Sequence, residues 1–205
     1  MQPQSEEEVT LARQLLAGDE GAFERFVDVF QSKVFQYSYL MCGHREDAEE
    51  VAQETLMKVF ENFDQLREAE RVKPWVFRIA RNNCLMKRRR SIFAPPEELS
   101  LDELVPDAAG EGLRRRIDPV DAAERPDARA ERRQMRAVMD EAIRALPPIY
   151  RSVVLLRDVE ELSTEEAAEI LDVSTDVIKT RLRRARVALR EALEDQFVGA
   201  RGAAN

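Results

Sequence analysis

Apolar residues recur along this chain at helical spacing, and the polar gaps between periodic stretches mark where one helix ends and the next begins. Residues 5 to 93 predict four helices. The first opens at Ser5 with Glu8 three places on, a capping box in which each side chain meets the other's free backbone N–H, and it ends near Gly18. The second carries Phe23, Phe26, Val27, Phe30, Val34, Tyr37, Leu40 and Met41 on one stripe and stops at Gly43. The third sets Val51, Ala52, Leu56, Val59, Phe60 and Phe63 on one face. The fourth starts at Pro74, a residue suited to a first helical turn, and runs to about Ser91, where "APPEE" breaks it.

Periodicity then lapses. Residues 94 to 131 hold five of the nine prolines, with charges of both signs and little apolar content, a composition that buries too little surface to offset the entropy of ordering. They predict a flexible linker, acidic on balance. Apolar spacing returns in "MRAVMDEAIRAL", then "PPIYRSVVLLRDVEEL", then two final helices. Helix formers dominate and strand-like alternation is missing. The expected fold class is all-α: two small helical domains, 1–93 and 132–205, joined by that linker, the C-terminal one a helix-turn-helix.

The helix-turn-helix rests on "LSTEEAAEILDVSTDVIKTRLRRARVAL". Ser163 and Glu166 form a second capping box, "DVS" makes a three-residue turn, and Ser174 caps the helix that follows. Ala168 is small where two helices must cross, and Ile178 is placed to plug the space between them. On the second helix Ile178, Leu182, Ala185 and Leu189 share one apolar face, while Lys179, Arg183, Arg186 and Arg190 follow one residue on as a cationic stripe. Thr180 and Arg184 flank it. A charge run alone is usually a solvated face. Here acidic partners are nearly absent between residues 177 and 190, and a capped turn carries the helix, so the pattern points to duplex DNA read in the major groove.

Charge alternates in the N-terminal half. The third helix, "REDAEEVAQETLMKVFENF", gathers Asp47, Glu50 and Glu54 on one face with Gln53 beside them. That face is either ordinary N-terminal solvation or a docking surface for a basic protein. The fourth reverses the sign, with eight Lys or Arg and no acid between Arg71 and Ser91. Trp75 at its start, Asn82 and Asn83 at its middle and Lys87 to Arg90 at its end suit unstacked single-stranded bases, although Trp75 alone also reads as core. The whole chain of 205 residues nevertheless has a formal net charge of −8.

The remaining composition excludes function classes. An acidic N-terminus and the lack of any apolar run near the roughly 20 residues of a membrane helix predict a cytoplasmic protein without membrane insertion. Cys42 and Cys84 sit in separate apolar stretches and read as buried free thiols, and His44 has no further ligands nearby. No cofactor is expected. With no nucleophile–base constellation and no Gly-rich phosphate loop, neither is catalysis.

Together, "REDAEEVAQETLMKVFENF", "WVFRIARNNCLMKRRR" and "LPPIYRSVVLLRDVEELSTEEAAEILDVSTDVIKTRLRRARVALR" resemble, in order, the two domains of extracytoplasmic-function (ECF) sigma factors of bacterial RNA polymerase. The resemblance implies that Asp47, Glu50, Gln53 and Glu54 dock on the coiled-coil of the core polymerase's largest subunit. It assigns the single-stranded minus-ten element of promoter DNA to Leu66, Trp75, Arg78, Arg81, Asn82, Arg88, Arg89 and Arg90. It assigns the duplex minus-thirty-five element to Lys179, Thr180, Arg183 and Arg184, with Arg186 beside them. An anti-sigma factor is a further partner it suggests. Leu66, Met86 and Asp172 depart from the family's commoner Phe, Asp and Gly, and Asp tolerates the left-handed backbone of a turn better than most residues. The rival reading, a stand-alone dimeric helix-turn-helix regulator, explains residues 163 to 190 but leaves the acidic third helix, the basic fourth helix and the linker without a task.

Overall fold

The computed structural model of the chain describes residues 3–19, 21–90 and 126–202, with side chains over 6–19, 21–88 and 132–194. Every regular element among them is helical: α1 (Pro3–Leu16), α2 (Ala22–Cys42), α3 (Arg45–Glu61), α4 (Val72–Arg90), α5 (Pro126–Ala145), α6 (Pro148–Val154), α7 (Thr164–Leu171) and α8 (Thr175–Gly202). Short 3-10 turns at Phe63–Gln65 and Ala69–Arg71 lead from α3 into α4, and a π-turn, Leu155–Val159, extends α6.

The hub of the first half is α2, because its apolar stripe lies inward along the whole helix. Phe26, Phe30, Val34, Tyr37, Leu40 and Met41 are all buried. The Phe26 and Phe30 rings stack at 4.4 Å, and Tyr37 meets Phe77 of α4 edge-on at 5.4 Å. Gly43 ends α2 as the spacing predicted, at φ 83, and its N–H donates to the Tyr39 carbonyl. That left-handed angle is nearly free of cost to glycine.

Three expected boundaries move. α1 begins at Pro3, so Ser5 lies inside the helix rather than ahead of it. Glu8 is buried, and its carboxylate instead accepts a hydrogen bond from Lys33 Nζ of α2. α4 begins at Val72, which leaves Pro74 within the first turn, where a missing N–H is no loss. α5 begins at Pro126, inside the span expected to be linker, with proline again at the start. Residues 94–125, the rest of that span, lie outside the described residues, as do 91–93.

The two helical halves pack against each other. Buried apolar residues of both belong to one contiguous cluster, with α4 against α7 and α2 against α5 and α6. Arg151 of α6 is the deepest polar tie: it is 2% exposed, and its Nη1 donates to the Leu40 carbonyl at 3.1 Å and the Met41 carbonyl at 3.4 Å. A guanidinium therefore occupies the C-terminal end of α2, where the last carbonyls lack helical partners. Its Nη2 donates to the Leu146 and Arg144 carbonyls. Burial pulls its pKa down to about 10, which leaves it cationic at neutral pH.

Candidate nucleic-acid interface

The helix-turn-helix forms as its residues require. Ser163 Oγ accepts from the Glu166 N–H at 3.1 Å while Glu166 Oε2 accepts from the Ser163 N–H at 2.7 Å, so the capping box is closed on both sides. Asp172 adopts φ 57 at the end of α7, and Ser174 Oγ caps α8 by accepting from the Val177 N–H. Ala168 and Ile178 are both buried where α7 and α8 cross.

With Ile178, Leu182 and Ala185 buried, α8 is fixed in rotation, and Lys179, Thr180, Arg183, Arg184, Arg186 and Arg190 face solvent. Arg183 and Arg184 make no ion pair among the described residues. Others in the stripe are partly compensated. Lys179 Nζ lies 3.3 Å from Asp176, one turn back. Arg186 grips Asp158 of the π-turn with two bonds, Nε to Oδ2 at 3.0 Å and Nη2 to Oδ1 at 2.5 Å. Of the residues expected to meet duplex DNA, Lys179 and Arg186 are thus already engaged within their own half.

On α4 the expected single-strand residues divide. Trp75 is half-buried, its ring edge-on to Phe63 at 5.9 Å. Arg78 Nη2 lies 2.7 Å from Glu169 Oε1 of α7. Arg81 donates to Asn82 Oδ1 at 3.2 Å, and Asn82 is exposed. Arg88 is partly buried, and desolvation pulls its pKa down. The side chains of Arg89 and Arg90 lie outside the described residues. Leu66 differs from the others in burial: it is 4% exposed, and its side chain joins the core after the Phe63–Gln65 turn. The family resemblance alone assigns Leu66 to the minus-ten element, and the 3-10 turn before it carries its side chain inward.

On α3 Glu50 and Gln53 are exposed, and Asp47 and Glu54 are half-buried. The acidic face is not bare. Lys87 of α4 lies between Asp47, at 3.2 Å, and Glu50, at 2.5 Å, and the hydrogen bond to Glu50 raises its pKa. Glu54 pairs with Lys58 at 2.8 Å.

Several residues at or behind these surfaces escaped the sequence reading. Asn83, grouped with Asn82, is buried: its Nδ2 donates to Thr55 Oγ1 at 3.0 Å, and its Oδ1 accepts from Lys58 Nζ at 2.6 Å, joining α4 to α3. Its spacing from Val76 and Ala80 marks that inner face. Glu169 is the second such residue: exposed on α7, it carries no local signal of its pairing with Arg71 and Arg78. The thiols of Cys42 and Cys84 are free, as expected, but not separate, with 3.8 Å between their sulfurs. Among the described residues no cluster of His, Cys, Asp and Glu is placed to hold a metal ion, and no helix is long and apolar enough to cross a membrane.

Comparison with known proteins ties these surfaces together. The Sigma-70 region 2 family matches residues 26–91, most of α2 through α4, and Sigma-70, region 4 matches residues 136–189, which ends within α8. The ECF RNA polymerase sigma factor SigW of Bacillus subtilis is 32% identical over 89% of this chain and 95% of its own length. The chain belongs to the ECF sigma factor family. Another similar sigma factor, the ECF RNA polymerase sigma-E factor of Haemophilus influenzae, is 27% identical over 90% of this chain and 94% of its own. SigG of Mycobacterium tuberculosis is 29% identical over 82% of this chain, which spans only 48% of SigG. Among solved structures the fold is like that of CnrH in complex with the cytosolic domain of CnrY (TM-score 0.58, 21% identity, 92% of this chain and 98% of that one). It is equally like the sigma factor RpoE in complex with the anti-sigma factor NepR from Bartonella quintana (TM-score 0.59, 22% identity, 84% and 96%). Region 2 of this sigma factor therefore carries both the acidic face of α3 and the basic face of α4, and region 4 carries the helix-turn-helix.

Proposed function

We propose that this sigma factor binds core RNA polymerase through the α3 face of Asp47, Glu50, Gln53 and Glu54, and uses its two basic surfaces on promoter DNA. α4, through Trp75, Arg78, Arg81, Asn82 and the Arg88 to Arg90 cluster, captures the minus-ten element as a single strand. α8, through Lys179, Thr180, Arg183 and Arg184, reads the minus-thirty-five element in the major groove. The observation that carries the reading is the rotation of α8: its apolar face is locked into the core by Ile178 and Ala185, which leaves Arg183 and Arg184 exposed and, among the described residues, without a carboxylate. A guanidinium so placed forms two parallel bonds to a guanine edge, or one to phosphate.

The chemistry of the two DNA surfaces differs as the two tasks do. A single strand needs stacking and amide contacts as well as charge, and α4 supplies Trp75 and Asn82 beside its arginines. A duplex groove needs a rigid helix with side chains projecting from one face. CnrH is bound to the cytosolic domain of CnrY and RpoE to the anti-sigma factor NepR, which supports an anti-sigma factor as a further partner for this chain, in the cytoplasm.

The test is gel filtration with purified core polymerase, followed by run-off transcription on a random promoter library. Stoichiometric co-elution and selective initiation are expected. Reversing Glu50 and Glu54 to Lys should abolish co-elution at moderate salt, since like charges would then face a basic docking surface. Tight duplex binding by the free protein, with no association with polymerase, would overturn the reading in favour of a stand-alone regulator.

A further inference from the structure

Cys42 is the last residue of α2 and Cys84 lies past the middle of α4, yet packing of the two helices brings their sulfurs to 3.8 Å. That is contact distance. A disulfide bond is about 2.05 Å long, so closing it asks for less than about 2 Å of approach, shared between two side chains.

The surroundings of the pair are unequal. Cys42 is half-buried, while Cys84 is 1% exposed. The hydrogen bond between the two sulfurs holds the Cys42 thiol below its ordinary pKa, and the Arg88 and Lys87 cations act the same way against burial and the Asp47 carboxylate. The Cys84 thiol is pushed well up by that same bond and by burial. The accessible sulfur is thus the better nucleophile and the enclosed one is held in reserve, an arrangement seen where a thiol reacts with an oxidant and a neighbour resolves the product.

We propose that Cys42 and Cys84 are an oxidation site that closes to a reversible intramolecular disulfide, with a hydroperoxide as oxidant. The Cys42 thiolate attacks the peroxide O–O bond, taking one oxygen as sulfenic acid, while the other leaves as alkoxide and is protonated to the alcohol, or to water from hydrogen peroxide. Cys84 then gives up its proton and attacks Cys42 Sγ. The S–O bond breaks, and the departing hydroxide takes up that proton as water. Two electrons pass from the thiols to the peroxide, and a dithiol reductant returns them. The bond joins the end of α2 to α4, the helix bearing Arg78, Arg81 and Asn82, and it stands whether or not those residues touch DNA.

The full-length protein, folded and reduced, is treated with hydrogen peroxide, alkylated and digested with trypsin without reduction. The expected product is peptide 34–45 (VFQYSYLMCGHR) linked to peptide 82–87 (NNCLMK), lost on adding dithiothreitol. Thermal unfolding of the oxidised protein should move upward by something on the order of 5–10 °C, because the cross-link restrains the unfolded chain. Cys84→Ser should stop at a Cys42 sulfenic acid that dimedone traps. Free thiols at both positions after peroxide, or a product that joins two chains through Cys42, would overturn the proposal. The wild-type digest decides it alone should Cys84→Ser fail to fold.

Discussion

Arg78 of α4 and Glu169 of α7 form an ion pair, Nη2 to Oε1 at 2.7 Å, across the junction of the two regions, and Arg71 takes the other oxygen of the same carboxylate. Against the upward push of desolvation, hydrogen bonds from Arg78 and Arg71 hold the Glu169 carboxyl below its ordinary pKa. The pair is nearly half exposed, so each bond contributes little to stability. Its consequence lies in binding, because a guanidinium held by Glu169 must be released before it meets a phosphate or base. Glu169→Ala should raise the affinity of the free protein for a single-stranded oligonucleotide by about two- to fivefold at low salt, within the range of one exposed charge pair. Fluorescence anisotropy with Arg78→Ala as the paired control measures it. An equal gain in the Arg78→Ala background would show that the effect does not run through this contact.

Glu160 gives the junction a dependence on pH. It is 5% exposed, and desolvation raises its pKa to about 7, even though Lys73 Nζ lies 3.5 Å away and Lys33 also draws it down, with Glu8 opposing them. Below the unfolded pKa both states carry the proton and the packed form loses nothing. As pH rises, the unfolded chain ionises first while the folded carboxyl keeps its proton, so stability falls through the window up to about 7 and is then level. The fall is on the order of 3 kcal/mol at most. Urea unfolding between pH 5 and pH 8 should show it, and Glu160→Gln should flatten the profile and leave the protein more stable than wild type at pH 8.

What the sequence reveals about this fold follows the range of the interactions involved. The helix-turn-helix is written within some thirty residues: the Ser163/Glu166 box, the left-handed Asp172, the Ser174 cap and the Ala168/Ile178 crossing all form as the local pattern demands. The junction is different in kind. Arg78 and Glu169 are 91 residues apart, and Arg151 and Leu40 are 111 apart. Nothing in helical periodicity distinguishes an arginine that will cap a distant helix from one that stays in water. The same holds for the thiols, which no CxxC spacing connects, and for Leu66, whose burial depends on a 3-10 turn only a few residues long. At the ends of helices it was proline that misled, since Pro3 and Pro126 start helices earlier than the neighbouring polar residues suggest.

Arg151 is the residue on which packing of the two regions depends most. Removing its guanidinium strands the Leu40, Met41, Leu146 and Arg144 carbonyls in a place with little water. Arg151→Ala should cost about 3 kcal/mol, the order expected when charged hydrogen bonds are lost from a buried site. Lysine cannot reproduce the planar fork and should recover only part of that. Urea denaturation gives the number, and a loss below about 1 kcal/mol would mean that water replaces the guanidinium without penalty.

Arg183 and Arg184 offer the sharpest separation of roles, because their side chains touch neither the core nor a carboxylate among the described residues. Replacing both with Ala on an exposed helix face should leave folding within about 0.5 kcal/mol of wild type. Duplex binding is another matter. Each lost base or phosphate contact is worth about 1–3 kcal/mol where it reads a base, so promoter-specific initiation should fall by roughly tenfold or more. The α3 face is on another helix in the other region, and core polymerase should co-elute with the double variant as with wild type. The two residues can also be told apart. A residue that reads a base edge changes which sequences are selected from a promoter library, whereas one that contacts phosphate lowers binding evenly and reduces its salt dependence. Simultaneous loss of core association in the double variant would show that α8 serves polymerase docking as well, and the division of labour between regions 2 and 4 would have to be redrawn.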